Sequence, residues 1–421
     1  MPLKFQRPRG TADSLPEQSA VYSQIEEIFS IEAKLAGFGR IRVPTFEKTT
    51  LFARSSGETS DVVSKEMYTF QDRGGEDLTL APEGTAGVVR AYLEDGLAGE
   101  ALPQKLFYFT SCFRYNRPQA GRLREFHQVG FEIFGADSYL AEAELIAMIS
   151  RAFKKIGIAD AVTTKLNSIG CKACRGEYKK ALVAYFEQYK TTLCETCNER
   201  LYKNPMRILD CKSPECKAIA KGAPVITDYL CADCKKHFDA LCALLTDLGV
   251  KYELDTGIVR GLDYYNGPVF EFVTDRLGAQ DAVGGGGRYD GLVEELGGQP
   301  TPALGLAMGI ERMTLLAEKC GCVFDKPSAG RLLIIPIGDE TRPRAARLAD
   351  AVKAAGISCQ TELCTRSLKS SMRFANKAGF EFALILGEDE MKTGNFVLKD
   401  MKNDRERSVG SEAELIAALK E

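Results

Sequence analysis

The sequence predicts an α+β protein: an antiparallel-sheet domain interrupted by a mainly helical, cysteine-rich insertion and followed by a separate C-terminal α/β module. Three observations carry this reading. Residues 102–135, LPQKLFYFTSCFRYNRPQAGRLREFHQVGFEIFG, hold two apolar runs separated by a Pro-, Gly- and Arg-rich loop, the pattern of a long antiparallel hairpin with a basic tip. Over 168–250 cysteine and lysine rise, and short helical pieces such as EYKKALVAYFEQYK alternate with CxxC turns. Beyond the turn-rich DKPSAG at 325–330, strands and helices alternate regularly. The expected organisation is a sheet domain in two parts, 1–167 and 251–324, an insertion over 168–250, a linker over 325–330 and a module over 331–421.

Taken in order, Pro16 opens a segment whose apolar positions Val21, Ile25, Ile28, Phe29 and Leu35 recur at helical spacing, and Gly37 and Gly39 end it. IRVPTFE then reads as a strand in which Pro44, lacking a donor, implies an edge, an end or an interface. Strand character returns over 251–274, ahead of the glycine run of VGGGGRYDGL, and ALGLAMGIERMTLLAEK reads as a strand leading into a helix. The C-terminal module reads as a strand (RLLIIPIG), a helix to Gly356, a strand (ISCQTEL), a helix to Gly379, two strands (EFALILG, GNFVLKD) and a short helix. Its middle helix carries Arg366, Lys369, Arg373 and Lys377 with no acid between them, the last three spaced by four on one face. Such a stripe is either a solvated surface or a face for phosphate.

Composition limits the function. With 421 residues, 45% hydrophobic and 27% charged, and a net charge of -3, the chain is an ordinary globular protein, and any nucleic-acid contact must use local basic patches. The N-terminus has no apolar signal core, and no apolar run reaches the roughly 18 residues of a membrane helix, so a cytoplasmic, non-membrane protein is expected. No GK[ST] phosphate loop occurs, and GGGGRYDGL lacks the GxGxxG spacing. With only His127 and His237 present, neither a His-pair zinc protease nor a Ser-His-Asp hydrolase is indicated. Arginines and carboxylates are left to do any chemistry.

The hairpin supplies candidates. Arg114 shares a strand face with Tyr108, Thr110 and Cys112, and Gln128 and Glu132 share a face of the partner strand. Glu132 lies inside VGFEIFG, where a buried carboxylate needs a cation or hydrogen-bond donors, supplied by a ligand or by Arg114. APEGTAG adds Glu83, Gly84 and Thr85, as a helix N-terminus with a capping threonine or as a place for a substrate to approach backbone. In MGIERMTLL, Arg312 interrupts an apolar stretch at a helix start. RGLDYYNGPVFEF, residues 260–272, enters an aromatic strand through Arg260 and Asp263, which a plain core strand would not want.

These segments together resemble the class II histidyl-tRNA synthetases over nearly the whole chain. RVPTFE is similar to the family's first motif, FRYNRPQAGRLREFHQVGFEIFG to its second and ALGLAMGIER to its third, while RGLDYYNGPVFE and GGGGRYDGLV resemble segments of the histidine-specific members. The resemblance implies an antiparallel-sheet catalytic domain with an anticodon-binding module. It implies ligation of L-histidine to tRNA(His) through a histidyl-adenylate, using ATP with Mg²⁺ and releasing AMP and diphosphate. In that reaction a carboxylate attacks an anionic α-phosphate, so neutralising charge and aligning the groups dominate. By motif position, Arg114 and Arg260 would flank the α-phosphate as catalytic residues, Arg312 would hold the γ-phosphate and Arg122 would join the ATP site. Glu83, Gly84, Thr85, Gln128, Glu132, Tyr264, Tyr265 and Tyr289 would hold histidine. Arg117 and Gln119 at the hairpin tip, with Arg122, would meet the tRNA acceptor end, and Lys369, Arg373 and Lys377 its anticodon side. The resemblance further implies a homodimer, with Pro44 at the subunit interface.

Nine of the fourteen cysteines fall between Cys171 and Cys242. Cys171/Cys174 and Cys194/Cys197 are CxxC pairs with nineteen residues between, within zinc-ribbon spacing, and Cys211/Cys216 with Cys231/Cys234 would complete a second site. Structural zinc and buried free thiols are the two readings. Two rival functions are a catalytically inactive synthetase-like regulatory subunit of ATP phosphoribosyltransferase and a class II synthetase for another amino acid. The retained arginines, RGLDYY segment and C-terminal module argue against the first, and the RGLDYY and GGRYDG segments against the second. Asp263 is expected to orient Arg260 or a tyrosine.

Overall fold

Helix α1 (Pro16–Leu35) starts on a proline whose missing N–H would find no partner in a first turn, and it buries Ile25, Phe29 and Ala33. Leu35, expected in that stripe, is 72% exposed, and Phe38 fills the core just beyond the helix end. IRVPTFE is not one strand. β1 (Gly39–Arg40) stops before it and β2 (Phe46–Lys48) starts after Pro44 in a different sheet, because proline has no N–H with which to continue a ladder. α2 (Thr49–Ser56), β3 (Tyr68–Gln71), β4 (Asp77–Leu80) and α3 (Thr85–Glu94) follow, with β2, β4 and β3 forming a small antiparallel sheet. This computed structural model describes residues 5–56, 62–259, 262–278, 282–327 and 329–420. It divides into two units, Met1–Phe324 and Asp325–Glu421.

The expected hairpin forms as β5 (Gln104–Phe113) and β6 (Glu125–Phe134), in unbroken register from Gln104 opposite Phe134 to Phe113 opposite Glu125. α4 (Tyr139–Ile156) and β7 (Thr163–Ser168) lead into four helices, α5 (Lys172–Glu187), α6 (Glu195–Lys203), α7 (Pro214–Ala220) and α8 (Ala232–Asp247). The chain returns through β8 (Tyr252–Leu254), β9 (Asn266–Val273), β10 (Ala282–Arg288), α9 (Leu292–Glu295), β11 (Ala303–Gly309) and α10 (Ile310–Lys319). The resulting eight-stranded sheet has the order β1-β5-β6-β11-β10-β9-β7-β8, antiparallel except for its two outermost pairs.

The glycine run is itself a strand. A Cβ on Gly284 would stand 2.2 Å from the Met308 side chain, and one on Gly286 2.0 Å from the Gly305 carbonyl oxygen, so β10 fits against β11 only without side chains. Strand alternation then separates two faces. Val129, Phe131 and Ile133 of β6, Leu304, Leu306 and Met308 of β11, and Phe270 and Phe272 of β9 join α1, α4, α8 and α10 in one apolar core. The intervening residues face the opposite side, where Tyr92, Tyr108, Phe134, Tyr264, Tyr265 and Tyr289 share a second core with the insertion.

In the second unit, β12 (Leu332–Pro336), α11 (Arg342–Ala354), β13 (Cys359–Thr361), α12 (Leu368–Ala378) and β14 (Phe382–Leu386) make the expected parallel part of the sheet. α13 (Glu388–Thr393), β15 (Phe396–Asp400), β16 (Arg405–Val409) and α14 (Glu412–Lys420) complete it in the order β13-β12-β14-β15-β16. β16 was not expected from its residues, RERSV, four of which are exposed along the sheet edge. No helix among the described residues is long and apolar enough to cross a membrane.

Candidate active site

The second face of the sheet holds a buried carboxyl ringed by hydroxyls. Glu132 has no exposed surface and accepts from Thr85 Oγ1 (2.8 Å), Tyr108 OH (3.0 Å) and Tyr289 OH (2.5 Å). Arg114 is not its partner. Among the described residues no cation bonds to it, and burial, outweighing these donors, pushes its pKa up to about 8. Room for this arrangement comes from glycines. A Cβ on Gly305 would lie 1.7 Å from Glu132 Oε2, and Cβ atoms on Gly84 and Gly130 would come within 2.2 and 2.1 Å of the Tyr108 ring. Tyr108 was expected only as a strand-face neighbour of Arg114; the glycines on either side of it are the signal that its ring is buried.

APEGTAG starts a helix, as expected, but the capping group is the carboxylate of Glu83. It accepts the Thr85 N–H (2.8 Å) and the Ala86 N–H (2.9 Å), which frees the Thr85 hydroxyl for Glu132. Glu83 is also buried, and desolvation raises its pKa against those bonds and the pull of Arg114. Tyr264, Tyr265 and Tyr289 close the pocket, with ring centroids 4.6 Å (Tyr264–Tyr265) and 5.6 Å (Tyr264–Tyr289) apart. Burial, reinforced by the nearby carboxyls, holds the Tyr264 and Tyr289 hydroxyls well above their ordinary pKa.

Arg260 lies outside the described residues. Asp263 Oδ1 accepts from Arg207 Nη2 (2.9 Å) and Asn204 Nδ2 (3.2 Å), both from the insertion. The arginine of GGRYDG is also structural, since Arg288 donates to both oxygens of buried Glu142 on α4 (2.9 and 2.8 Å).

Three predicted arginines meet. Arg114, Arg122 and Arg312 line one cavity of about 290 Å³ together with Gln128, so Gln128 is on the wall of this cavity, four residues along the same strand face from Glu132. Arg114 is held by the Pro82 carbonyl (2.8 Å) and lies over the Phe126 ring, its guanidinium carbon 5.4 Å from the ring centroid. Arg122 donates to Asn116 Oδ1 (2.6 Å) and Glu66 Oε1 (3.1 Å), and Arg312 to the carbonyls of Gly121 (3.0 Å) and Ala282 (2.6 Å). Glu311 was not foreseen. It accepts the His127 N–H at 3.0 Å and faces His127 Nδ1 at 2.7 Å, which fixes the start of α10, and so Arg312, against β6. That bond is the main cause of a raised His127 pKa. A cavity walled by three permanent cations suits a polyphosphate.

The other predicted residues stand apart. Arg117 and Gln119 are exposed at the hairpin tip, where the backbones of Gln119 and Arg122 bond each other (2.9 and 3.1 Å). In the second unit Lys369, Arg373 and Lys377 are exposed on α12, away from buried Ser371 and Ala375. Arg366 is not part of that stripe, because it precedes the helix and bonds Glu362 at 3.0 Å. Pro44 borders a concavity of about 730 Å³ with Leu51, Arg54, Arg90, Leu93 and Leu296. The cysteines group differently from the expected ribbon. Cys171, Cys174, Cys231 and Cys234 form one cluster, and Cys194, Cys197, Cys211 and Cys216 the other. Topology is the reason: β7 and β8 are neighbours, so α8 begins beside the point where the chain leaves β7, and the first and last cysteine pairs meet there.

A mainly antiparallel sheet that carries converging arginines on its long hairpin and on the helix after a neighbouring strand, beside a buried polar pocket and joined to an α/β unit, has the architecture of a class II aminoacyl-tRNA synthetase. A family profile described as histidyl-tRNA synthetase matches residues 10–313, and one described as an anticodon binding domain matches 331–421. The chain is 47% identical over 407 residues to the histidine–tRNA ligase of Caldicellulosiruptor saccharolyticus, covering 97% of each. It is 45% identical over 415 residues to that of Acetivibrio thermocellus, covering 99% of each. Among solved structures, the apo histidyl-tRNA synthetase of S. aureus matches with a TM-score of 0.84 at 34% identity, over 99% of this chain and 100% of that one. The chain belongs to the histidyl-tRNA synthetase family.

Proposed function

We propose that this protein ligates L-histidine to tRNA(His). It joins histidine to ATP, giving histidyl-adenylate and diphosphate, then passes histidine to the 3′ end of the tRNA and releases AMP. The observation that carries this reading is the juxtaposition on one sheet face of the buried Glu132 pocket and the cavity of Arg114, Arg122 and Arg312. Neutral imidazole offers one donor and one acceptor nitrogen, and a pocket of Glu132, Thr85 and tyrosine hydroxyls can meet both. Glu83, Gly84 and Gln128 serve the amino acid's other end, and Tyr265 and Tyr289 wall the ring.

In the first step Arg114 and Arg260 neutralise the α-phosphate, Arg312 takes the γ-phosphate and Arg122 supports the ATP. Guanidinium groups keep their charge and fork geometry through the displacement. Mg²⁺ arrives with ATP as its substrate complex. The cysteine clusters of the insertion contribute no group to either step of this reaction. Arg117 and Gln119 meet the acceptor end, and the α12 stripe of Lys369, Arg373 and Lys377 meets the anticodon side through phosphate. The protein works in the cytoplasm as a homodimer built on the Pro44 face. The regulatory-subunit alternative is disfavoured by close similarity to ligases over almost the full chain. ATP–pyrophosphate exchange run with each amino acid separately should respond to histidine alone, and Glu132→Ala should raise the histidine KM strongly. No exchange with any amino acid would mark a regulator, and exchange with another amino acid would move the specificity.

A further inference from the structure

We propose that the insertion holds two zinc ions in nested four-thiolate sites, Cys171/Cys174/Cys231/Cys234 and Cys194/Cys197/Cys211/Cys216, and that these sites fix the platform against which the tyrosine segment 263–267 is held. Within each set all four sulfurs lie within 4.8 Å of one another, and all eight cysteines are free thiols. Sulfur separations of 3.5 Å (Cys171–Cys174) and 3.8 Å (Cys194–Cys211) match the roughly 3.8 Å edge of a tetrahedron with Zn–S bonds of about 2.3 Å. Sets this tight leave space for one ion and not for the inorganic core of an iron–sulfur cluster.

Two further observations point to thiolates. The Cys231 N–H donates to Cys174 Sγ (3.1 Å) and the Cys194 N–H to Cys216 Sγ (3.3 Å), the kind of bond that orients and stabilises a metal-bound sulfur. Cys171, Cys194 and Cys231 are the N-cap residues of α5, α6 and α8, where the helix dipole favours negative charge. The surrounding elements need such a staple. α6 has nine residues and α7 seven, too short to persist alone.

Each site lies next to a grip on the segment that carries Tyr264 and Tyr265. At the first site, Gly170 and Ile169 exchange backbone hydrogen bonds with Gly267 (3.1 and 2.8 Å), and Arg175 Nη1 donates to the Tyr265 carbonyl (2.9 Å). At the second, the Cys211 N–H bonds the Ile208 carbonyl (3.1 Å), closing the turn from which Arg207 and Asn204 hold Asp263. The arginine cavity is built on the hairpin loop, β6, β10, β11 and α10 instead, so zinc should matter to the histidine pocket and not to that cavity. This second half rests on assigning Tyr264 and Tyr265 to the histidine pocket. The zinc count does not.

Elemental analysis of the full-length protein, grown with zinc in the medium and gel-filtered, should give two zinc per chain. Cys174→Ser with Cys234→Ser should leave one, and Cys197→Ser with Cys216→Ser should also leave one. A ribbon pairing of Cys171/Cys174 with Cys194/Cys197 would have each double variant damage both sites, so loss of both ions from either variant overturns the nested arrangement. Metal-free wild-type protein, iron in place of zinc, or disulfides in all eight positions would overturn the sites themselves. Zinc release from the wild-type protein by a mercurial, followed with a chromogenic chelator, reads the same count should a variant fail to fold. For positioning, Asp263→Ala should keep both zinc ions and raise the histidine KM about tenfold, as expected for one lost charged hydrogen-bond set, with the ATP KM unchanged. An unchanged histidine KM overturns the positioning role while leaving the zinc sites standing.

Discussion

Glu132→Gln separates the energetics of the empty pocket from those of the filled one. In the empty pocket the Glu132 carboxyl keeps its proton up to about pH 8 because burial outweighs three hydroxyl donors. Holding a proton from the ordinary 4.5 up to about 8 corresponds to roughly 5 kcal/mol for ionising the folded protein. The folded pKa is raised, so the favourable contribution is complete below about 4.5, erodes as pH rises and is gone above about 8. Glutamine has nearly the same shape and cannot ionise. The variant should therefore gain on the wild type by about 3 kcal/mol between pH 6 and pH 9 without ligand, a shift of a few degrees in the melting of the catalytic unit. Other groups titrate alike in both proteins, so the difference between them isolates residue 132. Histidine-dependent pyrophosphate exchange should fall in the same variant, with the histidine KM up about ten- to hundredfold, because a carboxyl able to share a proton with the imidazole has been replaced by an amide that cannot. Calorimetry at the two pH values and the exchange assay test both halves. A stability difference that is the same at pH 6 and pH 9, or a histidine KM close to the wild type's, would refute the reasoning.

Two other perturbations follow from the structure. Replacing Lys369, Arg373 and Lys377 by alanine should weaken tRNA binding, and log K against log salt should flatten by about 2 to 3, the release expected for three phosphate contacts; unchanged aminoacylation with an unchanged slope would make the α12 stripe a solvated surface. Gly305→Ala would set a Cβ 1.7 Å from Glu132 Oε2 and 2.7 Å from the Phe131 carbonyl oxygen. It should cost about 1 to 3 kcal/mol in stability and displace the carboxyl, so a normal histidine KM in a normally stable variant would show that the pocket tolerates what its packing forbids.

The parts of this site that were legible in the sequence are those where one residue contradicts its surroundings. Glu132 in VGFEIFG, Arg312 in MGIERM and Arg114 at the mouth of an arginine-rich hairpin each break an apolar pattern, and each is found at a buried polar centre or in the arginine cavity. The long hairpin was legible because alternation and turn chemistry agreed over ten residues on each side. What escaped depends on partners distant along the chain. Nothing near Asp263 announces Arg207, which reaches it across 56 residues, and nothing in LREFHQ announces Glu311, 184 residues on. The cysteine grouping escaped for the same reason, because spacing counts residues while the closure of the insertion decides which pairs meet. The glycine strand escaped because its glycines are demanded by neighbours: Met308 and the Gly305 backbone on β11, and Val269 on β9. β16 escaped because an edge strand that buries only Val409 carries no alternation to read.

The chemistry of the pocket supports its proposal as the histidine site, because a protonated carboxyl suits an imidazole. At neutral pH the empty pocket holds Glu132 as the acid, and the incoming side chain, with an ordinary pKa near 6.5, is largely neutral. The two then form one unit with a single proton. Whether that proton sits on the carboxyl or on the ring, the unit has the same total charge, and the pair titrates as a whole. Binding therefore requires no bare charge to be buried, since a proton shared between Glu132 and the ring can be shielded from solvent by Tyr264, Tyr265 and Tyr289. An apolar side chain of similar size has no atom to share it. It would leave a buried carboxyl and the Thr85, Tyr108 and Tyr289 hydroxyls to rearrange without a partner, and a site built to hydrogen-bond its ligand rejects such analogues by about 10⁴-fold or more. The elevated pKa that destabilises the empty protein at high pH is, on this argument, the same property that lets the pocket distinguish imidazole from a hydrocarbon.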